Sequence, residues 1–188
     1  FGELLASRLE DLAKLLTSEM GKPIRQSRNE LTAMQQRIAF FLENTERAVA
    51  DDMVFTADPT APSATGEIIR YEPLGIVANI SAWNYPWFVG SNVYLPALLT
   101  GNAVLYKPSE FATLSGMAVG ELLQEAGLPD DVFVSIVGSR EAGAALLAQD
   151  IDAVCFTGSY ATGRRIAETV AGRLIRVQLE LGGKGANI

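Results

Sequence analysis

From residue 75 onward the chain alternates short apolar, β-rich runs with amphipathic segments, and no other feature restricts its fold so severely. The runs span residues 75–80, 103–106, 132–137, 153–156 and 175–181; between them the spacing predicts helices at 87–99, 113–126, 140–148 and 161–170. One boundary is explicit. Ala126-Gly127-Leu128-Pro129 supplies a left-handed glycine, an apolar residue and a proline stop at a helix end. Strands alternating with helices of this length imply right-handed βαβ units and a parallel sheet covered on both faces. The expected class is therefore α/β, with an incomplete, Rossmann-like doubly wound sheet. Ligands of such sheets bind beyond the carboxyl ends of the strands, so chemistry is to be sought there.

The first 74 residues follow other rules. Leu5, Leu9, Leu12 and Leu16 recur at helical spacing up to Gly21-Lys22-Pro23, a glycine cap and a proline stop. Leu31, Met34, Ile38, Phe41 and Thr45 mark a second, longer helix. Residues 1–52 thus read as a helical hairpin. Residues 51–66 are rich in Ala, Thr, Pro and Asp, read as a linker, and lead to a strand-like 67–71, so 53–74 is a linker with an extended arm. Residues 75–188 read as the α/β sheet region.

Composition excludes several classes of function. Fifteen basic against twenty-two acidic residues leave a net charge of −7, which argues against nucleic acid or an anionic membrane as main partner. No apolar run has the length of a membrane span. With no histidine and one cysteine, the usual zinc sites, an internal disulfide and any Ser-His or Cys-His pair are unavailable, so no metal site is expected. Phe1 opens directly in a helical pattern, so a natural start removed by processing, cloning or cleavage is expected, targeting is illegible and the cytoplasm is the default location.

Four strand ends carry candidate chemistry. After the first comes Ser81-Ala82-Trp83-Asn84-Tyr85-Pro86, where Pro86 suits a first helical turn and Asn84 either caps that helix or donates its amide into the crevice. Trp83 is open to a reading as ordinary core. Lys107 and Glu110, three apart after the second strand, either are solvated loop residues or grip the vicinal hydroxyls of a ribose. Val137-Gly138-Ser139 offers only a glycine turn. At Phe156-Thr157-Gly158-Ser159, backbone N–H groups at a helix start and the Ser159 hydroxyl form a cradle for a phosphate, while Gly163 allows close helix–sheet packing. The last run places Val177, Leu179 and Leu181 on one face and Gln178 and Glu180 on the other. Glu180, followed by Leu181 and the pair Gly182-Gly183, is thus a strand-end carboxylate that is either a solvated edge residue or a general base.

The runs AWNYP (82–86), PALLTGNAVLYKPSE (96–110), FTGS (156–159) followed by Gly163, and LELGGK (179–184), together with EMGKPI (19–24) and RYEPLGIV (70–77), closely resemble the aldehyde dehydrogenase superfamily. The similarity covers essentially the whole chain, as the cofactor-binding part. It implies oxidation of an aldehyde to a carboxylic acid with NAD or NADP through a cysteine thioester, in a homodimer or homotetramer joined by the arm. By this resemblance Asn84 matches the side-chain donor of the oxyanion hole, and Trp83 lies near the nicotinamide side of the cleft. Lys107 and Glu110 match the pair on the adenosine ribose; a carboxylate there repels a 2′-phosphate and favours NAD over NADP. Gly158 and Ser159 match the pyrophosphate contact, Glu180 the base that activates water, and Leu181 and Gly182 the turn beside the nicotinamide. Partial desolvation between apolar walls would favour the role of Glu180.

The departures are equally specific. Many members carry a relay lysine where this chain has Val93, so a relay through that position is ruled out. The family's nucleophilic cysteine lies a few tens of residues past LELGGK, beyond Ile188. Cys155 sits in the apolar run Ala153-Val154-Cys155-Phe156 and is expected to be a buried, unreactive thiol. The 188 residues are therefore expected to be an inactive piece of an active parent. Other readings are a non-catalytic nucleotide-binding module, an interaction protein on a recycled scaffold, or an acylating, coenzyme A-dependent relative, against which a water-activating Glu180 argues. The natural reading frame is predicted to continue past Ile188 and to encode a cysteine in a Gly-rich or Gln-Gly context; sequencing the locus checks this, and a frame closing at Ile188 contradicts it.

Overall fold

The computed structural model describes residues 1–57 and 65–184. The middle of the 51–66 stretch and the terminal Gly185–Ile188 lie outside the described residues. Two helices, α1 (Gly2–Ser7) and α2 (Leu9–Met20), occupy the first predicted helical stretch, which breaks at Arg8. Beside the break the Ser7 hydroxyl donates to the Leu4 carbonyl, the local back-bond by which serine competes with a continuing helix. Leu5, Leu12 and Leu16 are buried, as their spacing requires, and α2 ends on Gly21 at φ 66° with its N–H on the Thr17 carbonyl. After Pro23 comes α3 (Ile24–Ala48), antiparallel partner of α2 in the hairpin.

The stretch read as a linker contains a strand. β1 (Asp52–Thr56) pairs antiparallel with β2 (Gly66–Ile69), with Asp52 opposite Ile69 and Thr56 opposite Gly66. An exposed ribbon has no core face to impose an apolar alternation, so its first strand leaves no periodic trace in the sequence. Met53, Val54, Phe55, Ile68 and Ile69 all stand about half exposed on it.

The remaining elements match the predicted alternation to within two residues at each end. They are β3 (Ile76–Ile80), α4 (Pro86–Leu99), β4 (Ala103–Lys107), α5 (Thr113–Glu125), β5 (Phe133–Ser135), α6 (Arg140–Leu147), β6 (Ala153–Gly158), α7 (Tyr160–Val170) and β7 (Arg176–Leu181). The five strands form one parallel sheet in the order β5-β4-β3-β6-β7. The chain starts in the middle, winds out to β5, returns past β3 and winds out the other way, which is the doubly wound arrangement.

Two cores lie on opposite faces of this sheet. On one face Val104, Tyr106 and Phe133 pack with Trp87 and Tyr94 of α4 and Val119 and Leu122 of α5, and the hairpin residues Leu5, Leu16, Leu31 and Met34 close the same cluster. The other face joins Ala78, Ile80, Val154 and Phe156 to Leu146 and Leu147 of α6 and Ile166 and Val170 of α7. Helix α4 is buried between hairpin and sheet. At the end of α5 the Leu128 N–H reaches the Leu123 carbonyl and the Gly127 N–H the Gln124 carbonyl, the double bond of a glycine-terminated helix.

Neither central helix is capped by its own N-cap residue, because these are Tyr85 and Ala112, neither of which makes a side-chain cap bond. Carboxylates from the hairpin do it instead. Glu30 of α3 accepts from Trp87 N at 2.9 Å and Phe88 N at 3.3 Å, and Glu19 of α2 accepts from Leu114 N at 2.6 Å and Ser115 N at 2.7 Å. Each carboxylate satisfies two orphan donors and opposes the positive end of a helix dipole.

Close approach fixes where α5 sits. A Cβ on Gly116 would lie 2.4 Å from Cβ and Cγ of Pro108, a ring that cannot rotate away. Gly116→Ala is predicted to destabilise the full-length protein by about 1–2 kcal/mol, overpacking outweighing alanine's better helix propensity. Urea unfolding checks it through a lower midpoint at unchanged slope.

Candidate functional site

Register defines a rim. Ile80 lies opposite Lys107 on one side and Phe156 on the other, and Phe156 lies opposite Leu179, so the four residues form one row across β4, β3, β6 and β7. That row spans about 14 Å at the usual strand spacing. Every candidate residue lies on it or within four positions past it: Lys107 and Glu110 after β4, Trp83 and Asn84 after β3, Gly158 and Ser159 after β6, Glu180, Leu181 and Gly182 at β7. The winding reverses between β3 and β6, where adjacent connections diverge to opposite faces and leave a crevice.

The loop after β3 carries Trp83 and Asn84, both exposed; Trp83 at 54% is not a core residue. Nor does Asn84 cap the next helix. Pro86 is the first residue of α4, Tyr85 holds the cap position, and the Asn84 Oδ1 accepts the Tyr85 N–H at 3.1 Å. With the oxygen thus engaged, the amide nitrogen is the end of the side chain available to an outside acceptor.

Lys107 is not a solvated loop residue. Only 5% exposed, it extends its stem along Gly143 of α6, and its ammonium donates to the Pro108 carbonyl at 3.0 Å. Glu110 is half exposed with an oxygen 3.9 Å from the ammonium. Burial pulls the Lys107 ammonium below the ordinary lysine range, and the Glu110 carboxylate pulls it partly back.

Ser159 is the N-cap of α7, its hydroxyl accepting from Thr162 N at 3.3 Å while lying 3.0 Å from the Thr162 hydroxyl. The Gly163 N–H takes the Ser159 carbonyl, so the Tyr160 and Ala161 N–H groups remain for an anion at this terminus. Across the ladder Thr157 lies opposite Glu180 and Gly158 opposite Leu181. A Cβ on Gly163 would lie 2.5 Å from Leu181 Cδ2, so the glycine seats that leucine under α7. Glu180, pointing to the opposite face, is exposed, and the apolar walls expected around it are not supplied by the described residues. Gly182 is exposed and its N–H bonds the Gly158 carbonyl at 3.1 Å. Among the described residues no group of three or more His, Cys, Asp or Glu side chains is placed to hold a metal ion.

The sequence model of the aldehyde dehydrogenase family matches residues 1–188. The chain belongs to the aldehyde dehydrogenase family. It is 40% identical over 190 residues to the NADP/NAD-dependent aldehyde dehydrogenase PuuC of Escherichia coli, covering 99% of this chain and 37% of that one. An NAD-dependent aldehyde dehydrogenase from Sinorhizobium meliloti superposes with a TM-score of 0.87 at 34% identity, over 98% of this chain and 36% of that one. Betaine aldehyde dehydrogenase from Staphylococcus aureus, solved with NAD+, gives a TM-score of 0.87 at 31% identity, over 99% and 36% of the two chains. The chain thus spans between a third and two fifths of the length of these aldehyde dehydrogenases.

Lys22 and Glu30 of this aldehyde dehydrogenase chain are unforeseen neighbours of the loop after β3. Lys22 donates to Glu30 Oε2 at 2.6 Å and to the Asn84 carbonyl at 2.7 Å, and its ammonium sits 4.3 Å from the centre of the Tyr85 ring. A signal for Glu30 existed: Ser27, Glu30, Leu31 and Met34 are the buried residues of α3 and fall on one helical stripe, and a carboxylate on an apolar stripe requires a partner.

Cys155 proves half-buried rather than fully enclosed, with its sulfur 3.7 Å from Gln178 Oε1. Burial pushes its thiol up, away from the thiolate form that reacts. Alkylation of Cys155 by iodoacetamide at pH 8, followed by peptide mapping, is predicted to run at least about tenfold slower than that of a solvated cysteine and to keep accelerating above pH 9.

Proposed function

We propose that this chain is the cofactor-binding portion of an NAD-dependent aldehyde dehydrogenase that oxidises an aldehyde to a carboxylic acid. The observation that carries the reading is the single rim shared by Asn84, Lys107, Ser159 and Glu180, brought from four strands to one edge of the sheet. The family, and relatives that use NAD or both nicotinamide cofactors, support it.

The residues present fit a dinucleotide. Lys107, held by its buried stem with the ammonium at the rim, and Glu110 beside it are suited to a ribose, donor and acceptor facing vicinal hydroxyls. Gly158, Ser159 and the free N–H groups of α7 are suited to a pyrophosphate. Bound NAD supplies the hydride acceptor. Trp83, Leu181 and Gly182 would flank its nicotinamide end. A carboxylate at 110 disfavours a 2′-phosphate, hence NAD rather than NADP. The nucleophile is a cysteine outside this chain; Asn84 donates its amide to the oxyanion that forms on attack, and Glu180 takes the proton of the water that hydrolyses the acyl group. Residues 1–52, 53–74 and 75–188 divide the portion into hairpin, arm and sheet region. The apolar side chains of the β1–β2 ribbon suit a contact between copies in a homodimer or homotetramer.

In the full-length enzyme, Glu180→Gln is predicted to retain a rapid stoichiometric burst of NADH while steady-state turnover drops about 100-fold or more, since only the hydrolytic half needs the base. Loss of the burst together with turnover would assign Glu180 elsewhere. Glu110→Ser is predicted to raise the ratio of kcat/KM for NADP to that for NAD by about tenfold or more.

A further inference from the structure

The ammonium of Lys22 is more than a helix cap requires. Glu19 caps α5 through two backbone N–H groups with no ion-pair partner among the described residues, whereas Glu30, doing the same for α4, is paired with a lysine whose side chain is 12% exposed. Burying an ammonium is expensive, and lysine is rarely enclosed without paired contacts. The other two contacts of this one are the Asn84 carbonyl and the Tyr85 ring. Residues 83–85 are exposed, and no side chain of their own caps the helix that follows, so little within the loop holds it.

We propose that Lys22 and Glu30 are positioning residues that set the direction of the Asn84 amide by clamping the 84–88 backbone from the hairpin side. The inference rests on the assignment of Asn84 as oxyanion donor made above. Glu30 fixes the backbone at Trp87 and Phe88, and Lys22 fixes it at Asn84. An ammonium on the Asn84 carbonyl opposes rotation of the Asn84–Tyr85 peptide, which keeps the Tyr85 N–H turned toward Asn84 Oδ1. With Oδ1 held, Nδ2 faces outward as the donor. An oxyanion donor works only when preorganised to within tenths of an ångström, so a clamp on its backbone acts on turnover rather than on cofactor affinity.

The test uses the full-length enzyme, with Lys22→Met, Lys22→Arg, Asn84→Ala and the double variant Lys22→Met/Asn84→Ala. Lys22→Met is expected to lower kcat about 10- to 100-fold while the NADH dissociation constant, read by fluorescence titration, stays within about twofold. Lys22→Arg, which keeps the cation, is expected to recover to within about fivefold of the unmodified enzyme. In the Asn84→Ala background, Lys22→Met is expected to remove no more than a further twofold or so, because the group it positions is already gone. A merely structural role would reduce activity by the same factor in both backgrounds, and that additivity overturns the proposal. So does a folded Lys22→Met enzyme with kcat within about threefold of the parent. If Lys22→Met does not fold, Lys22→Met/Glu30→Gln, which leaves no unpaired buried charge, replaces it with the same expectations. Loss of activity in Asn84→Ala with Lys22→Met unimpaired overturns the clamp alone, whereas an Asn84→Ala enzyme at parental kcat overturns the oxyanion assignment and the clamp with it.

Discussion

The arrangement of this molecule hangs on a carboxylate almost wholly removed from water. Glu30 is 3% exposed, and its two oxygens meet one ammonium and two backbone N–H groups. Helix α4 opens with Pro86, which has no N–H; the next two donors go to Glu30, and Val89 begins the internal ladder on Tyr85. The start of the helix that leads away from the crevice is thereby complete only when the hairpin is docked. A buried charge with those partners is tolerable, and without them it is not. The hairpin is consequently part of the same cooperative unit as the sheet, and the arrangement of the first crevice loop depends on residues more than fifty positions earlier in the chain.

Burial differs from residue to residue along the rim. At the β4 end the cation is enclosed, its stem against α6 and its head on the Pro108 carbonyl, so it presents a fixed donor rather than a mobile surface charge. In the middle the loop after β3 is exposed but held by its neighbours. Toward β7 the polar groups stand open: Glu180 and Gly182 are exposed, and Val177 and Leu181 on the alternate face are only partly covered. Of the polar residues along the rim, Lys107 is therefore enclosed, while Asn84, Glu110, Ser159 and Glu180 stand exposed.

Much of this was legible in the sequence because the physics behind it is local. A glycine followed by an apolar residue and proline can terminate a helix in few ways, and Gly127-Leu128-Pro129 does so as read. The inner strands β3, β4 and β6 are written as near-continuous apolar runs, and β7 stood out by its alternation. β1 did not, because exposed side chains are under no requirement to alternate. The individual surroundings of the rim residues were also hidden. Whether Lys107 is enclosed depends on how α6 crosses the sheet, and whether Asn84 caps a helix depends on a carboxylate from α3 that had already taken that task. Glu30 itself looked like one more acidic residue unless its place on the apolar stripe of α3 was weighed.

The fit of Leu181 into the hollow over Gly163 has a mechanical consequence. Helix α7 begins after its N-cap Ser159, and Leu181 follows Glu180 directly, so the knob and its socket join two different elements. With no space left between them, neither can slide or tilt without carrying the other. The separation between the start of α7 and the end of β7 is thus set in part by steric contact at Gly163.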